Sequence, residues 1–319
     1  MSGMSDDGKC KLPIDGLLMT FEVIFYSLFT FFGIIFNTIA LWVFCFRFRK
    51  WTEPRIYMIS LALADYTLVL TLPFIMYFHK TNWPTDSFCL VILIIHCINM
   101  PMSISTITLI ALDRYVAIKH PLKAKVIRSP RKAAIISLFF WICCFIYGIT
   151  LLSLSGGNEI CFFQFSDGQS LHHIPIKFTI FFCIPLVILL FCSTQVIRCL
   201  KKKQNASLHE EKLTQKAILV ISVNLGTFII CFLPFNISLL LQYIMNAADC
   251  EVRRIFSNTT HATSFMANLN CCLDAICYYL VAKEFQEAAS LLPALKSMQS
   301  KSNLTEMQSK SNLTEDLQL

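Results

Sequence analysis

Apolar residues in this chain fall into seven long runs, at about 20–46, 55–79, 87–118, 132–153, 174–200, 214–245 and 253–282. Each is long enough to cross the hydrocarbon core of a bilayer, which takes roughly 20 mostly apolar residues in a helix. Polar residues, Pro or Gly bound every run. After the last run, Lys283 to Ala289 mixes apolar and charged residues at helical spacing, the pattern of a short helix lying on a membrane surface. The predicted fold is therefore all-α: a seven-transmembrane helix bundle with a short amphipathic C-terminal helix.

Four regions follow: a tail over 1–19, the bundle over 20–282, the amphipathic helix over 283–293 and a polar tail over 294–319. The tail carries a tandem repeat, MQSKSNLTE at 298–306 and again at 307–315, a low-complexity pattern expected to be disordered. Its Ser and Thr suit phosphorylation, and a plain spacer suits them equally. No basic leader precedes the first run, so that run is expected to direct insertion itself.

Lys and Arg set the orientation. One set of loops gathers Arg47, Arg49, Lys50 and Arg55, then Lys119, Lys123, Lys125, Arg128, Arg131 and Lys132, then Arg198, Lys201, Lys202, Lys203 and Lys212. The opposite loops balance fewer cations with Asp86, Glu159, Asp167, Asp249 and Glu251. The first set marks the cytoplasmic side, which puts the N-terminus outside; the expected location is the plasma membrane, as a multi-pass protein.

Composition agrees. The chain is 55% hydrophobic and 15% charged, with mean hydropathy +0.61; soluble chains carry about a quarter charged residues. The formal charge of +7 is scattered in short clusters between apolar runs. That distribution argues against a nucleic-acid-binding face. Most of the 15 cysteines lie inside apolar runs, where cysteine acts as a small hydrophobe.

Ionisable groups inside the spans carry more information, since each costs about 2.5–3.5 kcal/mol at a helix centre on insertion scales. Asp65 stands mid-span in the second run and Asp274 in the seventh, with Asn37, Ser103 and Asn270 at similar depth. These oxygens suit a bound Na⁺; an interhelical hydrogen-bond network with protonated acids accounts for them as well. No other cofactor is expected. At the inner end of the third span stand Asp113, Arg114 and Tyr115. Adjacent opposite charges let Arg114 sit at the membrane boundary, and simple snorkelling does the same.

Together these positions resemble the rhodopsin-like G-protein-coupled receptors. The likeness runs from Asn37 to Phe285 through Leu61-Ala62-Leu63-Ala64-Asp65, Cys89 placed 25 residues before Arg114, and Trp141. It continues through Pro185, the segment Phe228 to Pro234, and Asp274-Ala275-Ile276-Cys277-Tyr278. The resemblance implies a receptor, not an enzyme, that couples to a heterotrimeric G protein of the Gi/o or twelve/thirteen class and engages arrestin through its tail. It assigns coupling to Asp113, Arg114, Tyr115 and Tyr278, and an activation core to Ile104, Pro185, Phe228 and Phe232. It places Na⁺ at Asp65, Ser103, Asn270 and Asp274. It also implies a disulfide from Cys89 to Cys161 and a second from Cys10 to Cys250.

Several positions depart from the family pattern. Ala275 replaces a proline, Phe232 stands where many members keep tryptophan, and Thr214 cannot offer Arg114 an acid, so signalling without ligand is expected. Pro101 is expected to disturb the third helix locally. The branch most alike, through Trp51 to Met58, Arg128 to Arg131 and Asn270 to Ala289, includes receptors that bind acids through arginines; the matching positions here read Met100, Leu151 and Gln242. His96 occupies the depth where amine receptors place an aspartate. Around the outer mouth lie His79, Lys80, His172, His173, Lys177, Arg253, Arg254 and His261. The expected ligand is a small acid or anionic lysophospholipid held by His96, Lys177, Arg254 and His261, with Met100 lining the pocket. In the bland alternative, Arg253 and Arg254 pair with Asp249 and Glu251 while Lys177 snorkels. A transporter or channel, which often shows repeated halves, is disfavoured by the lack of internal hydropathy repeats. A non-coupling decoy receptor is disfavoured by the intact Asp113-Arg114-Tyr115.

Overall fold

The computed structural model describes residues 15–47, 51–81, 83–154, 161, 174–202, 208–245 and 249–275, without the side chains of 151–154, 208–214, 216 and 217. Eight helices run through these residues. They are α1 (Gly16–Arg47, a π turn closing it from Val43), α2 (Glu53–Thr81), α3 (Ser87–Lys119) and the short loop helix α4 (Pro121–Ile127). Then come α5 (Pro130–Leu154), α6 (Ile174–Lys202, with a π segment at Thr179–Cys183), α7 (Leu208–Ile244) and α8 over 250–275. Among the described residues, six of these are long and apolar enough to cross a membrane, and α8 lies on the seventh apolar run. Each span extends a few residues beyond its apolar run where the run's end was set by a polar residue, because a helix continues into the interface.

The helices are inside out relative to a soluble protein. Phe31, Ile39, Ile135 and Val187 are exposed along the outer faces, while Asn37, Asp65, Ser103, Asn270 and Asp274 are buried between helices. Hydrocarbon supplies no hydrogen bonds, so polar groups turn inward to partners. Trp141 Nε1 donates to Ser60 Oγ (3.0 Å), tying α5 to α2, and Asn99 Nδ2 donates to the Ala64 carbonyl (2.7 Å), tying α3 to α2. Asn37 Nδ2 donates to the carbonyl of Cys271 (3.0 Å), joining α1 to α8. Side-chain bonds of this kind average about 0.6 kcal/mol in membrane proteins, so packing supplies much of the rest. At Gly33 α1 approaches α2 tightly: a Cβ there would overlap Val69 of α2. α3 sits centrally, packed on α2, α5 and α6.

Pro101 lies within α3, yet the helix is continuous from Ser87 to Lys119. A proline removes one backbone donor; the packing of α2, α5 and α6 around α3 holds the remaining ladder in line. At the end opposite the basic loops, the Asp86 side chain caps α3 by accepting from the Cys89 amide (2.8 Å). Cys89 is bonded to Cys161, with Cα atoms 6.1 Å apart, and the Cys161 amide donates to the Trp83 carbonyl (2.8 Å). Cys250 is also disulfide-bonded; Cys10, its expected partner, lies outside the described residues. At the basic end, called inner below, Arg55 closes α1 by donating to the carbonyls of Phe44 and Cys45 and stacks on Trp51.

Candidate functional site

Four groups of residues carry chemistry. The first is at the outer end, where the expected ligand residues divide. Lys177, on the first turn of α6, lies within electrostatic range of His96 and Cys97 on α3. It makes no hydrogen bond or ion pair with another described residue. His96 Nδ1 lies 3.3 Å from Thr71 Oγ1 of α2. One turn deeper, Met100 Sδ accepts a long contact from Asn236 Nδ2 of α7 (4.0 Å). Lys177 and Met100 line one side of the bundle, between α3, α6 and α7; His96, within electrostatic range of both Lys177 and His79, stands between that side and the next.

His261 belongs to the other side. Its ring meets that of His79 edge-on, with centroids 5.6 Å apart. His79 Nδ1 in turn lies 2.7 Å from Oε1 of Glu22, a residue 1% exposed on α1. Glu22 Oε2 and His261 Nδ1 are buried without a hydrogen bond. Below them, Asn268 Nδ2 donates to Tyr26 Oη (3.1 Å), continuing the polar seam between α1 and α8. Glu22 escaped sequence reasoning because it stands two residues into an apolar run, where an acid reads as interfacial; its helical phase, toward α2 and α8, is set by packing. Arg254 stands at the rim, with its side chain 48% exposed and its Nη2 3.9 Å from Glu251. Leu151, His172 and His173 lie outside the residues whose side chains are described.

The second group is mid-bundle. Asp65, Ser103, Asn270 and Asp274 are all buried, and Asn270 Nδ2 donates to Asp274 Oδ2 (2.8 Å). Ser103 Oγ and Asn270 Oδ1 are buried oxygens that make no hydrogen bond. Such oxygens fit a hard cation. Among the described residues no group of three or more His, Cys, Asp or Glu could hold a metal ion, so any cation here depends on amide and hydroxyl oxygens beside the two acids.

The third group is an aromatic column. Phe178 packs on Phe182 (5.5 Å), Phe182 stacks nearly parallel on Phe228 (5.8 Å, 10°), and Phe228 meets Phe232 edge-on (5.5 Å, 70°). Ile104 is fully buried and Pro185 partly so. Phe182, absent from the expected core, is the ring that joins α6 to α7. It sits in the π segment, and nothing in its spacing announces the stack.

The fourth group is at the inner end. Both oxygens of Asp113 accept from one guanidinium, that of Arg128: Nε to Oδ1 at 2.8 Å and Nη2 to Oδ2 at 2.9 Å. Arg128 also lies 3.1 Å from Glu53 of α2. Tyr115 Oη lies 3.5 Å from His120 Nε2, and Lys119 Nζ donates to Gln195 Oε1 of α6 (2.7 Å). Arg114 stands beside Asp113 and within its electrostatic range. Tyr278 and the side chain of Thr214 lie outside the described residues.

A bundle of apolar helices with buried polar residues at its centre is the architecture of a multi-pass membrane protein. Residues 36–278 match the profile of the 7 transmembrane receptor (rhodopsin family), and the chain belongs to that family. It is similar to G-protein coupled receptor 35 of Mus musculus, 40% identical over 87% of this chain and 89% of the relative. G-protein coupled receptor 55 of Homo sapiens is 30% identical over 90% and 93% respectively. Lysophosphatidic acid receptor 4 of Homo sapiens is 33% identical over 82% and 75%. The chain is thus a multi-pass membrane receptor with a seven-helix bundle, a signalling protein and not an enzyme.

Proposed function

We propose that this receptor sits in the plasma membrane with its N-terminus outside, binds a small acid or the anionic head of a lysophospholipid at the outer end, and activates a Gi/o or twelve/thirteen G protein at the inner end. The observation that carries the ligand reading is Lys177. A lysine within a span is costly unless paired, and Lys177 has neither hydrogen bond nor ion pair to a described residue while His96 lies in its electrostatic range. A ligand carboxylate or phosphate would be its partner. The buried acid at Glu22, between α1, α2 and α8, supports an anion lying toward Lys177 on the α3–α6 side. A relative named as a lysophosphatidic acid receptor supports an anionic lipid head as one form of that ligand.

Lys177 is next to Phe178, so a ligand held there bears directly on the aromatic column from Phe178 to Phe232. Agonist then shifts a pre-existing equilibrium between inactive and active helix arrangements. Na⁺ among Asp65, Ser103, Asn270 and Asp274 favours the inactive one, Arg114 with Tyr115 and Tyr278 meets the G protein, and arrestin reads the tail. The deciding experiment is a screen of acidic metabolites and lysophospholipids on a G-protein reporter, with Lys177→Ala alongside. The substitution should lower the potency of an acidic agonist roughly tenfold or more, ~1.4 kcal/mol, the low end for a charge-assisted contact. If Lys177→Ala and Arg254→Ala both left that potency unchanged at normal expression, the anionic pocket would be wrong and neutral lipids would take its place.

A further inference from the structure

Arg128 follows the loop helix α4 as an extended residue, φ −77° and ψ 133°, before α5 begins. Its guanidinium meets Asp113 of α3 with two parallel donors, the bidentate geometry that makes arginine–carboxylate pairs strong and directional. A third contact reaches Glu53 of α2. The carboxylates are 7% and 15% exposed, so salt screens this cluster less than an open surface pair. Arg114, the next residue along α3, lies within electrostatic range of the same carboxylate. Asp113 thus stands between two guanidinium charges and is paired directly with that of Arg128. With both oxygens engaged by a planar fork, it has only its remaining lone pairs to offer the second.

We infer that Arg128 is a positioning residue for coupling: it competes with Arg114 for Asp113, and so lowers the cost of handing Arg114 to the G protein. This rests on the reading that Arg114 meets the G protein. Loss of Arg128 would hand the Asp113 carboxylate to Arg114 and hold it back; neutralising Asp113 as well would release it. A loop that merely needs Arg128 for its own shape has no reason to recover when Asp113 loses its charge.

The test is ligand-independent nucleotide exchange on a purified G protein by the full-length receptor in lipid nanodiscs. Arg128→Gln should slow receptor-stimulated exchange by about tenfold, the scale of one charge-assisted hydrogen bond. Arg128→Gln combined with Asp113→Asn should recover most of that loss. Arg128→Lys should fall between, because an ammonium cannot reproduce the fork. Undiminished exchange in Arg128→Gln, or a double variant as slow as the single one, would overturn the inference. Should Arg128→Gln fail to reach the membrane, Arg128→Lys with and without Asp113→Asn decides on the same criterion. Arg114→Ala separates the two claims. Normal exchange in that variant refutes the coupling role of Arg114, whereas an inactive Arg114→Ala beside a normal Arg128→Gln refutes only the role of Arg128. Wild-type exchange no faster than that of G protein alone would overturn the inference together with the expected ligand-free signalling.

Discussion

The two ends of the bundle each carry a charge cluster, and the clusters are built differently. At the outer end Glu22 and His79 are sealed between α1, α2 and α8, with side chains 2% and 6% exposed. At the inner end Arg128 is 26% exposed and divides itself between Asp113 and Glu53. A sealed pair is shielded from water and holds helices together. A half-open cluster in which Arg128 is shared by two acids, with Arg114 beside one of them, is the arrangement expected to exchange partners at lower cost. Lys177 fits neither pattern: it lies within a span as the sealed pair does, and the proposed ligand is to supply its partner.

Experiments on each end should separate these roles. The largest effect is expected from Arg114→Ala, which should abolish agonist-driven G-protein activation while leaving surface expression and ligand binding largely intact; undiminished activation at normal expression would remove the switching role of the inner end. Next comes Glu22→Ala. Removing one partner of a buried pair typically costs about 3–5 kcal/mol, against about 1 kcal/mol or less for a partly exposed one. Thermal unfolding of purified receptor should therefore fall much further for Glu22→Ala than for Arg128→Ala. Equal losses would erase the contrast between the ends. The smallest effect concerns the middle. Agonist affinity should fall a few-fold in Na⁺ relative to a bulky cation, on the order of 1 kcal/mol of coupling, and Asp65→Asn should abolish the difference. A mutant as sodium-sensitive as the wild type would leave the central oxygens as a hydrogen-bond network.

The apolar runs sufficed to place the spans because a bilayer penalises polar backbone and side chains so heavily that few arrangements survive. The same penalty made Asn37, Asp65, Asn270 and Asp274 readable as inward-facing from their positions alone, and the structure buries all of them. The disulfide between Cys89 and Cys161 was legible from resemblance, and it is present. What the chain did not announce depends on tertiary phase. Glu22 and Phe182 lie inside apolar runs and were not singled out, and Arg128 was counted only among the loop cations. In each case the decisive fact is which neighbour the side chain meets across a helix boundary, and no local pattern encodes that. The π segments at Val43–Arg47 and Thr179–Cys183 were equally silent, since a widened turn has the composition of an ordinary one.

That widened turn in α6 sets the angular bookkeeping of the ligand pocket. In a regular α-helix each residue advances about 100° around the axis, so Lys177 and Phe182, five positions apart, would point in clearly different directions. A turn closed by i→i+5 bonds brings such positions closer to one face, so the cation above and the stacked ring below stand less far apart around the axis. Because that turn absorbs one extra residue, a single deletion inside it would restore a regular turn and leave Lys177 four positions from the ring, about 40° off line. The same deletion in the regular helix Ile184–Lys202 would instead turn Lys177 and Phe182 together by about 100°, away from His96 and Phe228, with every one of those residues still present in the sequence.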